Sequence, residues 1–170
     1  MTLVEVFFAS SVLVLLMLSV SGSAFLLNNT KYDTRSNGLI TDNARLTMDQ
    51  MIWGKRVGNG ASRMAISEAN NFVITSATQL SYRQGANTWH SIRQNGINIE
   101  YRNDVNGAWQ TIYDPDGPGA NDTAHNTTAL SFTPSTNPNN VVITLKLGTM
   151  HRGRWHNALL STQVNARNIT

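Results

Sequence analysis

The sequence predicts an α+β protein in which one long N-terminal helix packs on an antiparallel β-sheet head. Three observations carry this prediction. Residues Leu3 to Leu27 include 18 apolar side chains out of 25. Between 38 and 57, apolar residues recur at helical spacing. From about residue 70 the pattern alternates as in half-buried strands, and 170 residues suffice to bury a core.

The first segment, 1–30, is predicted to be a membrane-spanning helix. A helix over Leu3–Leu27 is about 37 Å long, which exceeds a hydrocarbon core of about 30 Å. A cleavable secretory signal would carry positive charge before its apolar run, whereas this segment carries Glu5 there. A soluble core helix rarely contains so long an apolar run, so membrane insertion is the interpretation we adopt.

The second segment, 31–57, is predicted to continue the helix as an amphipathic cover for the sheet. Its apolar residues at helical spacing are Ile40, Ala44, Met48, Met51 and Ile52. The Gly-Asn-Gly run at 58–60 is expected to end the helix. Lys55 and Arg56 then lie in the last turn, where cations suit the helix dipole.

One turn of this helix is predicted to be weak. Ser19, Ser21 and Gly22 lie close together there, and serine and glycine are poorer helix formers than the residues around them. We therefore expect this turn to tolerate a kink or local loss of helix. Gly38 is a second weak point, at the junction with the globular part of the chain.

The third segment, 58–170, is predicted to be a β-rich globular head. Strand patterns occur at 72–75, 79–82, 88–93, 97–102, 108–113, 129–133, 141–147 and 155–164. Asn95-Gly96 and Asn106-Gly107 are two-residue hairpin signals. The second signal predicts that Tyr101 lies opposite Ile112. One polar sheet face is expected to meet solvent while the other packs on the helix.

Glu5 is the residue of the apolar segment that most needs an explanation. A carboxylate inside a membrane helix costs about 2.5–3.5 kcal/mol and normally has a partner. Within the sequence the nearest cation is Lys31, on the far side of the span. The amine of Met1 from a neighbouring copy, shifted by about one helical turn, is one candidate partner. The other interpretation places Glu5 in the solvated interfacial zone.

The N-terminal residues Met1-Thr2-Leu3-Val4-Glu5, followed by the apolar run, resemble the mature N-terminus of type IV pilins and type II secretion pseudopilins. The resemblance is specific over about the first 30 residues. It implies a pilin-like fold, removal of a leader by a prepilin peptidase and N-methylation of Met1. It also implies that Glu5 pairs with the N-terminal amine of an adjacent subunit, with Thr2 as part of the matching motif.

The same resemblance implies a location and partners. The chain is expected in the bacterial inner membrane as a monomer, then in an extracellular filament of its own copies, with inner-membrane assembly machinery as a further partner. A minor pseudopilin that primes or tips a pseudopilus is one alternative. A single-pass membrane-anchored binding or adhesin module is an alternative of a different class. The chain departs from disulfide-clamped pilins because it contains no cysteine.

The longest stretch without a strand pattern is 114–128. Asp114, Asp116, Asn121 and Asp122 offer oxygen atoms of the kind that calcium prefers. The spacing differs from an EF-hand loop and lacks its closing glutamate. Asp and Asn are also ordinary residues of any surface loop, so the calcium site and the plain loop stay as alternatives.

The last part of the chain is basic, with no acidic residue after Asp122. A hairpin tip is predicted near residue 153, with Arg152, Arg154 and His156 on one face. This face is either a solvated edge that discourages strand pairing, or a basic patch for an acidic neighbouring subunit or DNA.

Composition excludes several other functions. The absence of cysteine rules out thiolate metal sites and cysteine nucleophiles. A net charge of +3 is too small to require a nucleic-acid partner. Neither a zinc-protease, a serine-hydrolase, a Walker nor a dinucleotide-binding motif is present, so we expect no enzyme activity and no cofactor.

Overall fold

The computed structural model describes residues 2–54, 56–57, 62–63, 65–85, 88–115, 126–137, 139–151 and 153–167. The chain divides into two compact units, Met1–Gly38 and Leu39–Thr170; we call the second unit the head. Helix α1 runs from Leu3 to Trp53. The strands are β1 (Arg56–Val57), β2 (Ser62–Arg63), β3 (Asn71–Ser76), β4 (Gln79–Gln84), β5 (Thr88–Asn95), β6 (Asn98–Arg102), β7 (Gln110–Tyr113), β8 (Asn126–Pro134), β9 (Asn140–His151) and β10 (Arg154–Asn165). A 3₁₀ helix, Ile66–Glu68, precedes β3.

The helix ends earlier than the sequence predicted. Its last residue is Trp53, and Gly54 follows with φ of 87°, a left-handed conformation that glycine adopts without steric cost. The Gly54 N–H donates to the carbonyl of Gln50 at 3.1 Å, which closes the last turn. Arg56 therefore lies in β1 and not in the last turn of α1, while Lys55 and 58–60 lie outside the described residues.

The strands form antiparallel sheets. A five-stranded sheet has the order β3-β4-β5-β6-β7, and a three-stranded sheet has the order β10-β9-β8. A further two-stranded pair joins β1 and β2. All eight predicted strands are present, whereas β1 and β2 were not predicted. Two-residue strands are too short to show an alternating pattern.

The core lies within the head and joins α1 to both larger sheets. The five residues predicted to cover the sheet are all buried, together with Thr47, which the sequence analysis did not identify. They form one cluster with inward side chains of the five-stranded and three-stranded sheets. The largest fully buried sheet residues of this cluster are Tyr82, Leu80, Ile92, Ile99, Phe132, Leu130, Ile143, Leu145 and Leu147. The α+β layout is therefore confirmed.

One predicted hairpin register is wrong. Tyr101 lies opposite Gln110, and not opposite Ile112, because the chain turns through a longer loop between β6 and β7. In that loop the Gly107 N–H donates to the Asp104 carbonyl at 3.0 Å, so Gly107 is the last residue of the turn and not its centre. The β5–β6 hairpin is present, although its two connecting residues are Gly96 and Ile97.

Candidate functional site

The start of α1 is held by a reciprocal pair of hydrogen bonds between Thr2 and Glu5. The backbone N–H of Thr2 donates to Oε2 of Glu5 at 2.7 Å. The backbone N–H of Glu5 donates to Oγ1 of Thr2 at 3.4 Å. This arrangement is a capping box, in which a threonine and a glutamate three residues later satisfy each other's backbone donors.

The capping box gives Glu5 a partner that the sequence analysis missed. The Thr-x-x-Glu spacing before an apolar run is itself a signal for a capping box. Only charged partners were predicted for Glu5. The bond from Thr2 occupies one carboxylate oxygen, and an ionised carboxylate accepts about four hydrogen bonds. A cation from a second chain can therefore approach Glu5 while the cap stays in place. Met1 lies outside the described residues.

The N-terminal unit is largely apolar and uncovered over residues 2–28. Every residue from Thr2 to Asn28 is exposed. The most hydrophobic 18-residue window of α1 has a mean hydropathy of 2.4, and none of it is buried. By length and composition this helix can cross a membrane. A buried core helix of a soluble protein passes the same test of length, but its apolar surface would be covered.

Four serine hydroxyls of this unit, those of Ser10, Ser11, Ser19 and Ser23, donate to carbonyls of the same helix. Ser10 donates to the Phe7 carbonyl at 2.9 Å, and Ser19 donates to the Leu16 carbonyl at 2.8 Å. Ser23 donates to the carbonyl of Ser19 at 2.9 Å. These bonds remove most of the cost of placing a hydroxyl in an apolar environment.

The predicted weak turn is helical in the structure, since Ser19, Ser21 and Gly22 all lie within α1. A Cβ added at Gly22 would meet nothing within 4 Å, so contacts within the chain give no steric reason for glycine there. Loss of helix at this turn on assembly stays a prediction.

An exposed apolar row continues on the part of α1 that belongs to the head. Leu39, Leu46 and Trp53 are spaced seven residues apart and are 57%, 58% and 64% exposed. Residues at this spacing follow one side of a helix, as in a coiled-coil seam. This row was not predicted, although its seven-residue spacing is readable from the sequence.

Two of the three residues predicted to form the basic face, Arg154 and His156, lie among the described residues, and His156 is buried. Arg154 is exposed at the end of the β9–β10 hairpin, beside Gly153 with φ of 74°. His156 is only 5% exposed, because the inward alternation of β10 has begun there. The prediction that His156 shares a solvent-facing surface with Arg154 is therefore wrong. Arg152 lies outside the described residues.

The predicted calcium ligands are described only at Asp114, whereas Asp116, Asn121 and Asp122 lie outside the described residues. Among the residues that the structure describes, no group of three or more His, Cys, Asp or Glu side chains is placed to hold a metal ion.

A buried polar stack lies on the inward side of the five-stranded sheet. The ring of His90 lies between those of Tyr82 and Tyr101, with centroid separations of 5.3 and 5.9 Å, and its Nδ1 is 2.7 Å from the Tyr101 hydroxyl. Burial lowers the pKa of His90, and the charge of Asp104 offsets this only in part. Burial, with smaller contributions from Tyr101 and Glu68, raises the pKa of Tyr82 well above its usual value. His90 is 3% exposed, so we interpret this stack as part of the core.

Comparison of the chain with protein-family models, with curated proteins and with solved structures found no match.

Proposed function

We propose that this chain is a structural subunit that polymerises into a type IV pilus-like filament through its N-terminal helix. The observation that supports the proposal best is the complete exposure of the apolar surface from Thr2 to Asn28. Burying one large apolar side chain stabilises by about 1.5–3 kcal/mol. A surface of this size requires a lipid bilayer or other copies of the same helix around it.

The exposed row on the head part of α1 supports assembly over simple anchoring. A single-pass anchor needs apolar surface only within the bilayer. Leu39, Leu46 and Trp53 follow a charged stretch that begins at Lys31, yet each is more than half exposed. A neighbouring subunit in a filament would cover such a row.

The proposed mechanism has two steps. The monomer first resides in the bacterial inner membrane, after a prepilin peptidase has removed a leader and Met1 has been N-methylated. The assembly machinery then extracts it into a filament on the cell surface, where Glu5 pairs with the Met1 amine of a neighbour and fixes the stagger between subunits. The capping box already holds the Glu5 carboxylate at the helix start.

The decisive experiment expresses the chain with a pilus assembly system and recovers material sheared from the cell surface. We expect polymers of this chain in the sheared fraction, and mass spectrometry should find N-methyl-Met1 at its N-terminus. A chain that stays in the membrane fraction with an unprocessed N-terminus would instead indicate the alternative of a single-pass anchored binding or adhesin module. Presence only in trace amounts at filament ends would indicate a minor pseudopilin.

A further inference from the structure

The face of the five-stranded sheet that points away from the core is rich in arginine and tryptophan. Alternation along β3–β6 places the apolar residues inward and polar residues outward. The register arranges the outward residues in three rows across the strands. The rows are Asn71–Arg83–Trp89, Val73–Ser81–Ser91–Arg102 and Gln79–Arg93–Glu100.

The middle row has two small side chains, Ser81 and Ser91, at its centre, between Val73 and Arg102. The hydroxyls of Ser81 and Ser91 lie 3.0 Å apart, and Thr75 adds a third hydroxyl 3.3 Å from Ser81. On both sides stand long or bulky residues, with Arg83 opposite Trp89 on one side and Arg93 on the other. Trp89 and Arg93 are four residues apart on β5, which separates the flanking rows by about 13 Å. Ser91 is only 3% exposed, so the longer side chains of the flanking rows cover the centre of the middle row.

Trp109, just before β7, is fixed against this face by two arginines. The guanidinium carbon of Arg93 lies 4.0 Å from the centre of the Trp109 ring, and that of Arg102 lies 4.6 Å from it. Arg102 also donates to the Val105 carbonyl at 2.8 Å. Aromatic and guanidinium groups that are ordered before binding lose less conformational entropy on contact with a ligand.

The charge on this face favours an anionic ligand. Its one carboxylate, Glu100, is bound by Arg93 at 2.7 Å and by the side-chain amide of Asn95 at 2.9 Å. Arg83 and Arg102 therefore provide positive charge that Glu100 does not neutralise.

We propose that this outward face binds single-stranded nucleic acid, with a base on Trp89 and phosphates on Arg83 and Arg102. Planar guanidinium groups match phosphate geometry, and tryptophan rings stack on bases of any sequence. Sheets whose exposed face carries aromatic residues bind single strands in this way. The proposal moves the candidate DNA contact from the hairpin tip, where His156 is buried, to the sheet.

The test measures fluorescence anisotropy of a labelled oligo(dT) of about 20 nucleotides with the full chain in non-ionic detergent at about 50 mM salt. We expect Trp89→Ala to weaken binding at least about fivefold, and Trp89→Phe, which keeps a stacking face, to stay near the unaltered chain. Arg83→Gln should reduce the slope of log affinity against log salt by about 0.7. A matched oligo(U) shows whether DNA or RNA binds more tightly, and either supports the proposal.

The chain offers controls on β10, where Arg154 and Trp155 are adjacent and exposed, with Trp155 49% exposed, whereas Arg83 and Trp89 are half-buried. Arg154→Gln and Trp155→Ala should change the affinity less than about twofold. An abasic strand of equal length keeps the phosphates and removes stacking, and should bind at least about fivefold more weakly.

Three results would each overturn the proposal. One is no binding of oligo(dT) by a folded chain. Another is equal affinity for the abasic strand or for an acidic polysaccharide of equal charge. The third is a larger loss from Arg154→Gln than from Arg83→Gln. None of these outcomes depends on whether the chain forms filaments.

Discussion

Replacing Glu5 can separate the role that the structure shows, capping the helix, from the role that we propose, pairing with a neighbouring subunit. Glutamine in place of glutamate still accepts the Thr2 N–H bond that the structure shows at 2.7 Å, so the cap is retained while the charge is lost. Alanine removes both. We therefore predict that Glu5→Gln and Glu5→Ala fail in assembly to nearly the same extent.

The sizes of the two effects differ enough to decide between them. A lost N-terminal cap costs about 0.5–2 kcal/mol and acts only on the first turn of α1. Removing one partner of a buried ion pair costs about 3–5 kcal/mol, because the remaining charge is left without compensation. At about 1.4 kcal/mol per factor of ten, Glu5→Gln should raise the subunit concentration needed for polymerisation about 100-fold or more.

The assay compares sheared surface filaments with the membrane-bound monomer by immunoblotting, for each variant at equal expression. Circular dichroism of the monomer in detergent checks that α1 is intact. Thr2→Val serves as a control, because it removes the capping hydroxyl and leaves the Thr2 N–H bond and the charge of Glu5. Normal filaments from Glu5→Gln, with none from Glu5→Ala, would show that capping is the role of Glu5 and refute the pairing.

Three further predictions concern the head. Met51→Ala should lower the free energy of unfolding by about 2–5 kcal/mol in denaturant titrations because Met51 is fully buried, whereas Leu46→Ala, at an exposed site, should stay within about 0.5 kcal/mol. Because burial lowers the pKa of His90 below 6.5, the folded state disfavours its protonation; thermal stability should be full above pH 6.5 and fall as the pH drops toward the folded pKa, and His90→Phe should flatten that part of the profile. Gly148→Ala should lower the melting temperature, since the added Cβ would collide with Oγ1 of Thr127, and Thr127→Ala should restore part of the loss.

The strands and the buried face of the helix were predictable because both depend on periodicity over many residues. Strands of four to twelve residues show a period of two, and the stripe from Ile40 to Ile52 shows a helical period. A single misplaced residue does not change either pattern. The buried stripe of the helix could therefore be assigned from the sequence, whereas the hydrophobic pattern does not reveal buried polar residues such as Thr47, His90 and Thr128.

The wrong predictions all depend on one or two residues at an end or a turn. Gly54 ends α1 earlier than the next glycines would, and its effect depends on a backbone angle that the pattern does not encode. The turn that closes on Gly107 begins at Asp104, which shifts the register of β7. The depth of His156 depends on where the hairpin ends and the inward alternation begins.

The candidate site shows a different kind of gap between sequence and structure. Local spacing predicts contacts within one chain, such as the capping box, whenever the motif is sought. Contacts between chains leave only an uncovered surface, and the sequence does not say what covers it. Leu39, Leu46 and Trp53 form such an uncovered row. The fold was needed before the exposure of these three side chains could be known.

The saturated backbone and serine hydroxyls of the N-terminal helix bear on how a filament subunit would leave a membrane. Transfer of Leu3–Leu27 from lipid to a bundle of like helices exchanges one apolar environment for another. Hydrophobic burial alone therefore contributes little free energy to this step. Ser10, Ser19 and Ser23 do not change this free energy, because their hydroxyls bond to their own helix in either environment. Under the proposed function, the free energy that drives the step must come from groups whose surroundings differ between the membrane and the filament. Glu5 is one such group, because the proposed filament provides a cation that lipid does not. The exposed row on the head part of α1 is a second such group. Loss of either should therefore trap the subunit in the membrane without weakening its insertion.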